Sequence, residues 1–169
     1  MTGIVAVTGA AGALGSKTVE ILAAGGWTVV GIDLGKVASD GVALALGGVD
    51  LTDEAAVGVA AARIEKELGR LDGLVNIAGG FSWETVADGS VATWDRLYAM
   101  NVRTALIASP ALLPLLRASH GAIVNIGGIA NFTVLYKNGG LNGITAFASG
   151  PGNMMIDYAV QQFFEQPYD

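Results

Sequence analysis

Hydrophobic and polar positions along this chain follow two periods in alternation. Ile4-Val5-Ala6-Val7 is a short, mostly β-branched apolar run, which predicts a strand covered on both faces, as in a parallel sheet. From Leu14 to Ala24 the positions Val19, Leu22 and Ala23 recur at helical spacing, and Gly25-Gly26 supplies a stop. Trp27 to Ile32 predicts a second strand ending at Asp33. Leu34 to Asp40 leaves room for at most about two helical turns, and Val42 to Leu46 reads as a third strand. A helix is expected from Asp53 to Leu68, with Thr52 as N-cap, Asp53 and Glu54 in its first turn and Gly69 past its end. Leu74 to Ala78 predicts a fourth strand, followed by Gly79-Gly80 and a loop through Ser90. Thr93 to Ala118 reads as a long helix, bent or broken near Pro110 and Pro114. Ala122 to Ile126 is a fifth strand.

This alternation predicts an α/β fold, a three-layer, Rossmann-like doubly wound parallel sheet with helices on both faces. The last part changes character. Ile129 to Tyr136 is strand-like, Asn138-Gly139 is a hairpin turn, and Ile144 to Ala148 reads as the returning strand. Gly150-Pro151-Gly152-Asn153 then opens an apolar helix, Met154 to Phe164. The expectation is one domain over 1–169: a Rossmann-like portion over 1–126, extended at the C-terminus over 127–169 by a β-hairpin and a helix.

The chemistry of the first loop follows from its place. Gly9, Gly12 and Gly15 stand at three-residue spacing between a strand and a helix. Glycines let backbone N–H groups approach a pyrophosphate, and a helix N-terminus offers unpaired donors and a positive dipole end. Asp33, ending the next strand, completes the pattern of a dinucleotide site. Composition removes other classes. With no cysteine and one histidine there is no disulfide framework, thiolate nucleophile or expected metal site. A net charge of −6 without a basic cluster argues against nucleic acid. The chain is 52 % apolar, yet no uninterrupted apolar run has membrane-spanning length. A strand at the very N-terminus predicts no signal peptide. A cytoplasmic protein with no membrane partner is expected.

With these residues in view, 1–126 resembles the short-chain dehydrogenase/reductase family. Thr8-Gly9-Ala10-Ala11-Gly12-Ala13-Leu14-Gly15 resembles its cofactor loop. Asp33 matches the acidic residue on the adenosine ribose, which implies NAD rather than NADP; Lys17 is the nearby cation that speaks weakly against this. Asp50-Leu51 matches the pair beside the adenine ring, and Asn76-Ile77-Ala78-Gly79 the N-x-A-G segment. The resemblance thus implies cofactor contacts from Thr8, Gly9, Gly12, Leu14, Gly15, Asp33, Asp50, Leu51, Asn76, Ala78 and Gly79. Asn101 matches the asparagine of the family's catalytic set. The rest of that set, a serine after the fifth strand and a tyrosine with a lysine four residues later, has no match. Gly127-Gly128 stands where the serine belongs, and Tyr98, Tyr136 and Tyr158 are followed at four residues by Val102, Gly140 and Gln162. Tyr136-Lys137 is adjacent, and strand neighbours point to opposite faces.

Residues 125–169 resemble a different family. Asn125-Ile126-Gly127-Gly128-Ile129-Ala130-Asn131, Gly150-Pro151-Gly152-Asn153-Met154-Met155-Ile156-Asp157 and Gln166-Pro167-Tyr168-Asp169 resemble a segment of anhydro-N-acetylmuramic acid kinases, sugar kinases of the hexokinase/actin-like class. Ala148 stands where those kinases carry an aspartate base, and the expected ATP loop and second lobe are not matched. The two resemblances meet in the strand around Ile123-Val124-Asn125-Ile126, which implies a chimera. A continuous strand at the join, with both active sites incomplete, favours an engineered one.

Three functions follow as expectations: a non-catalytic protein retaining an NAD-type site, a folded chimera without ligand, and a weak NAD-dependent oxidoreductase in which Tyr136 or Asn101 donates the proton. His120 reads as a solvated helix C-terminus, where a cation suits the dipole. Phe81 and Trp83 are equally a pocket wall or plain packing, and Asn153 a helix-start residue. The apolar Thr93–Ala118 helix, with the family's habit of pairing through long helices, predicts a homo-oligomer, a dimer at least.

Overall fold

The computed structural model describes residues 3–82, 89–126, 130–135 and 144–150. Among these residues, seven strands form one sheet in the order β3-β2-β1-β4-β5-β6-β7: β1 (Ile4–Thr8), β2 (Thr28–Ile32), β3 (Leu44–Leu46), β4 (Gly73–Asn76), β5 (Ala122–Asn125), β6 (Ala130–Leu135) and β7 (Ile144–Gly150). The first five are mutually parallel, while β6 runs antiparallel to β5 and β7 antiparallel to β6. This is the expected α/β sheet with its C-terminal hairpin. The Asn138-Gly139 turn and the helix from Met154 to Phe164 lie outside the described residues.

Strand alternation divides the core into two layers. Ala6, Val30, Leu74 and Ile123 point to one face, where they pack against Val57, Ala60 and Ile64 of α2 (Glu54–Leu68) and Leu112, Leu115 and Leu116 of α4 (Thr104–Ser119). Val5, Val7 and Val29 point to the other and meet Val19 of α1 (Ala13–Ala24), with Val37 from the β2–β3 connection. Each strand therefore needs apolar side chains at consecutive positions, as its sequence showed.

Several boundaries differ from expectation for physical reasons. Asp53, not Thr52, caps α2: its carboxylate accepts from Ala55 N–H at 2.9 Å. Thr52 instead donates its own hydroxyl and N–H to Asp50. The third strand shortens to Leu44–Leu46, because Val42 N–H closes a turn onto Ser39 O. The fourth ends at Asn76, because Ile77 and Ala78 leave the ladder to bond the Thr8 hydroxyl. The long helix begins earlier, with Ser90 as N-cap accepting from Thr93 N–H, and α3 runs Val91–Tyr98.

That helix is not broken at its prolines. Pro110 and Pro114 both lie within α4 and both are exposed, one turn apart on the outer side, where water can bond the carbonyls they leave free. The irregularity comes earlier, as a π-helical turn over Ala99–Arg103 between α3 and α4. The whole stretch Val91–Ser119 is by length and composition apolar enough to cross a membrane; in this fold the inner face of α4 packs on the sheet. His120 closes α4 as an exposed, left-handed C-cap at φ 62°, and Gly69 closes α2 the same way at φ 76°.

The layer shared by the sheet, α2 and α4 is the larger of the two. Leu112→Ala, deep in it and only 1 % exposed, is expected to cost about 2–5 kcal/mol, seen as a lowered urea midpoint at unchanged slope. Asp53→Ala removes only a cap and should cost about 1 kcal/mol by the same measurement.

Candidate functional site

Because the first five strands are parallel, their C-terminal ends lie at one edge of the sheet, and the connections leaving them share it. These connections enclose a cleft of about 650 Å³. Its wall is made by the Gly9–Gly15 loop, Asp33-Leu34, Val49 to Thr52, Ile77 to Gly79, and Met100 and Thr104 from the helix beyond.

The loop keeps its shape because two positions admit no side chain. Gly9 lies at φ 70°, and a Cβ there would stand 2.8 Å from the backbone N and Cα of Ala78. A Cβ on Gly15 would stand 1.9 Å from Gly9 O, so α1 presses directly on the exit of β1. Gly12 differs: a Cβ would meet only Gly9 O, at 3.3 Å. It is the N-cap of α1, donates to Gly9 O at 3.0 Å, and brings no capping side chain. No acidic residue occupies the first turn. The N–H groups of that turn, which helix geometry leaves without an intrahelical partner, therefore open onto the cleft.

Asp33 faces this helix end. Its Oδ2 accepts from Ala11 N–H at 3.0 Å and its Oδ1 from Gly35 N–H at 2.7 Å. A carboxylate offers about four acceptor sites, so each oxygen keeps capacity for a hydroxyl while its direction is fixed. Lys17, the cation set against NAD in the sequence, pairs with Glu20. Asp50 accepts from Thr52 Oγ1 at 2.7 Å and Thr52 N–H at 2.8 Å. Those bonds, chiefly the hydroxyl's, hold its carboxyl below the usual carboxylate range; burial opposes this slightly and Arg103 adds to it. Leu51, buried beside it, closes the floor.

The structure thus brings Gly9, Gly12, Leu14, Gly15, Asp33, Asp50, Leu51, Ala78 and Gly79 together on one wall. It does not place Thr8, Asn76 or Asn101 there. Thr8 is buried, and its hydroxyl accepts from Ile77 N–H (3.1 Å) and Ala78 N–H (3.3 Å) and donates to Asn76 Oδ1 (3.4 Å). Asn76, also buried, donates to Asn125 Oδ1 at 2.8 Å and Ser109 Oγ at 3.1 Å. Thr8 and Asn76 therefore correct the expectation of direct contact: they hold the wall from behind. Asn101 sits in the π-turn and clamps the Gly79-Gly80 loop. Its Nδ2 donates to Gly80 O and Leu97 O, both at 2.9 Å, and its Oδ1 accepts from Gly80 N–H at 3.1 Å. A Cβ on Gly79 would lie 2.5 Å from that Oδ1.

Reading the sequence missed Leu34, Val49, Thr52, Met100 and Thr104 as wall residues. Leu34 and Val49 flank the chosen acids, Thr52 follows the chosen Leu51, and Met100 precedes the chosen asparagine, so adjacency was the available signal. Phe81 is largely exposed and does not line the cleft. Trp83, Tyr136, Lys137 and Asn153 lie outside the described residues. Among the described residues, no three His, Cys, Asp or Glu side chains gather as a metal site would require.

Comparison with known proteins bears on this arrangement. The short chain dehydrogenase family matches residues 3–141, running past residue 126. The chain is 40 % identical over 106 residues to inactive 2-(S)-hydroxypropyl-CoM dehydrogenase 2 of Xanthobacter autotrophicus, covering 62 % of this chain and 44 % of that one. With 2-(S)-hydroxypropyl-CoM dehydrogenase 3 of the same organism it shares 35 % identity over 137 residues, 75 % of this chain and 54 % of the other. It spans about half the length of these curated relatives. A 3-ketoacyl-(acyl-carrier-protein) reductase from Brucella melitensis, solved with NADH, superimposes with TM-score 0.62 at 26 % identity over 70 % of this chain and 52 % of that one. Separately, 48 residues, 28 % of the chain, are 52 % identical to 13 % of the anhydro-N-acetylmuramic acid kinase of Francisella tularensis subsp. novicida. A dehydrogenase segment is thus accompanied by a kinase-like fragment. By the extent of its family match, on a sheet and glycine loop of this build, the chain belongs to the short-chain dehydrogenase family.

Proposed function

We propose that this protein binds an NAD-type dinucleotide and does not turn over a substrate. The observation that carries the binding is Asp33, fixed by two backbone donors opposite an uncapped helix N-terminus in one cleft. An anionic pyrophosphate suits the helix end, and two ribose hydroxyls suit the carboxylate, which would repel a 2′-phosphate. The backbone of Gly9–Gly15 would hold the pyrophosphate, Asp33 the ribose, and Asp50-Leu51 the adenine edge. When bound, such a cofactor supplies a hydride acceptor or donor; this chain's residues bind and orient it.

Two observations support the absence of turnover. The family's tyrosine and lysine stand four residues apart on a helix, whereas β5 and β6 are joined through residues 126–129 as antiparallel neighbours, a connection too short for a helix. Asn101 already bonds Gly80 and Leu97 with its side chain. We assign 1–126 to the dehydrogenase-like portion of one domain and 127–169 to the kinase-like portion, as a chimera. The run Ile123 to Ile126, where the two resemblances meet, supports a designed junction. A ligand-free chimera and a weak oxidoreductase working through Tyr136 are the readings to be excluded.

Titrating NADH while following energy transfer from tryptophan tests the reading. Gly12→Val, which clashes with little inside the protein but projects into the cleft, and Asp33→Ala should each weaken binding at least about tenfold, the loss of a charge-assisted contact or more. No saturable signal from the parent protein would leave the ligand-free reading. Carbonyl-dependent NADH oxidation abolished by Tyr136→Phe would establish the oxidoreductase instead.

We further propose that the protein forms a homodimer through the helix of α3 and α4. Val91, Trp94, Tyr98, Val102 and Leu106 are all exposed and recur every three or four residues, an apolar stripe suited to a second copy. Light scattering should give twice the chain mass, and Trp94→Glu with Leu106→Glu should give the single-chain mass at an unchanged circular dichroism spectrum.

A further inference from the structure

The two faces of β4 and β5 are buried to different extents. Residues paired across a parallel ladder share a face, so Val7 fixes the side of Val75, and Val75 that of Val124. Val5 does the same for Gly73 and, through it, for Ala122. These residues belong to the face of Val5, Val7 and Val29, on which α1 packs. To the opposite face β4 and β5 send Leu74 and Ile123, 0 % and 6 % exposed, beneath α4. On the α1 face, Val75, Ala122 and Val124 are each only partly buried, and Ile126 just past β5 is exposed. Among the described residues the helix packed on this face is α1, and it lies over β1 and β2.

Residues 151–169, outside the described part, follow β7. Two antiparallel steps restore the direction of β5, so β7 ends at the edge from which α1 and α2 set out back over the sheet. The sequence from there predicts a further helix of the same kind. Gly150-Pro151-Gly152 supplies turn residues, and Asn153 stands at a cap position. Met155, Ile156, Ala159, Val160, Phe163 and Phe164 fall on one half of a helical wheel, with Asp157, Gln161 and Glu165 on the other. A helix over 154–164 is about 16 Å long, close to the length of five strand residues. With a diameter of about 10 Å it spans two strands set about 4.8 Å apart. In water a helix shorter than about 12–15 residues is marginal by itself, so one with such an apolar half needs a surface to pack on.

We infer that the α1 face of β4 and β5 is a docking surface for the chain's own segment 154–164, which lies on it as an amphipathic helix and covers Val75, Ala122 and Val124. The other face over these strands is closed by α4, so the complementary apolar surface is on the α1 side. The kinase-like tail then serves a dehydrogenase-like sheet as the layer that closes its second face. This role depends on neither the dinucleotide reading nor the dimer.

The chain has no cysteine, so introduced pairs report proximity without interference. In the full chain, Val124→Cys is combined in turn with Ile156→Cys, Val160→Cys and Phe163→Cys, and with Gln161→Cys from the polar half. Under mild oxidation at least one of the first three pairs should close a disulfide within one chain, seen on a non-reducing gel as a faster band of single-chain mass. The Gln161→Cys pair should not. Disulfides that join two chains assign the surface to a neighbour's tail and overturn the inference, as does equal cross-linking of all four pairs or of none. A second readout needs one cysteine. Maleimide labelling of Val124→Cys should be slower by about tenfold or more than in the same variant carrying Val160→Asp and Phe163→Asp, because the docked helix must open first. Equal labelling rates overturn the inference.

Discussion

Everything at the functional edge of this molecule depends on how closely α1 approaches the end of β1. The room for a single methyl group decides it: a Cβ on Gly15 would stand 1.9 Å from Gly9 O, and one on Gly9 would stand 2.8 Å from the Ala78 backbone. With both positions bare, the helix start settles against the sheet edge and the β4 connection closes over the turn. Three backbones are then packed at van der Waals distance, with no side chain between them to adjust. That contact sets where the first-turn N–H groups point, and through Ala11 N–H it also fixes the Asp33 carboxylate. The start of α1 and the Asp33 carboxylate are therefore held together as one unit.

Behind that unit lies a row of polar side chains in register across the sheet. Thr8 pairs with Asn76 and Asn76 with Asn125 in successive parallel ladders. The Asn76 amide carries the bonds across β4 and β5 and reaches Ser109 on α4. Buried polar groups of this sort are tolerable only when each finds a partner. Here they do, and the bonds link the cleft wall to β5, the last parallel strand.

The sheet order, the glycine loop and the choice of Asp33 were legible in the sequence because each rests on a local rule: buried strands need unbroken apolar runs, and a tight turn before a helix needs bare positions. What was not legible arises from register or from competition between neighbours. Nothing local makes Asn76 face Ser109 and Asn125 while Ala78 faces the cleft; only the ladder decides that. Thr52 and Asp53 are both good caps, and the outcome turned on Thr52 being already bonded to Asp50. The π-turn was hidden for a related reason. Apolar positions four apart continue through it from Tyr98 to Val102 to Leu106, so the stripe carries no sign of the wider turn, while the prolines drew attention to a place where the helix runs on.

The antiparallel sense of β6 decides how the sheet is completed. A parallel neighbour for β5 would require a crossover of a dozen or more residues, about enough for a helix lying over the sheet. An antiparallel neighbour requires only a turn. Placing β6 beside β5 in the antiparallel sense therefore keeps the sheet growing, and covers the β5 edge that would otherwise be free to pair with another chain. The described lining residues of the cleft all precede β5, the last of them being Thr104 at the start of α4.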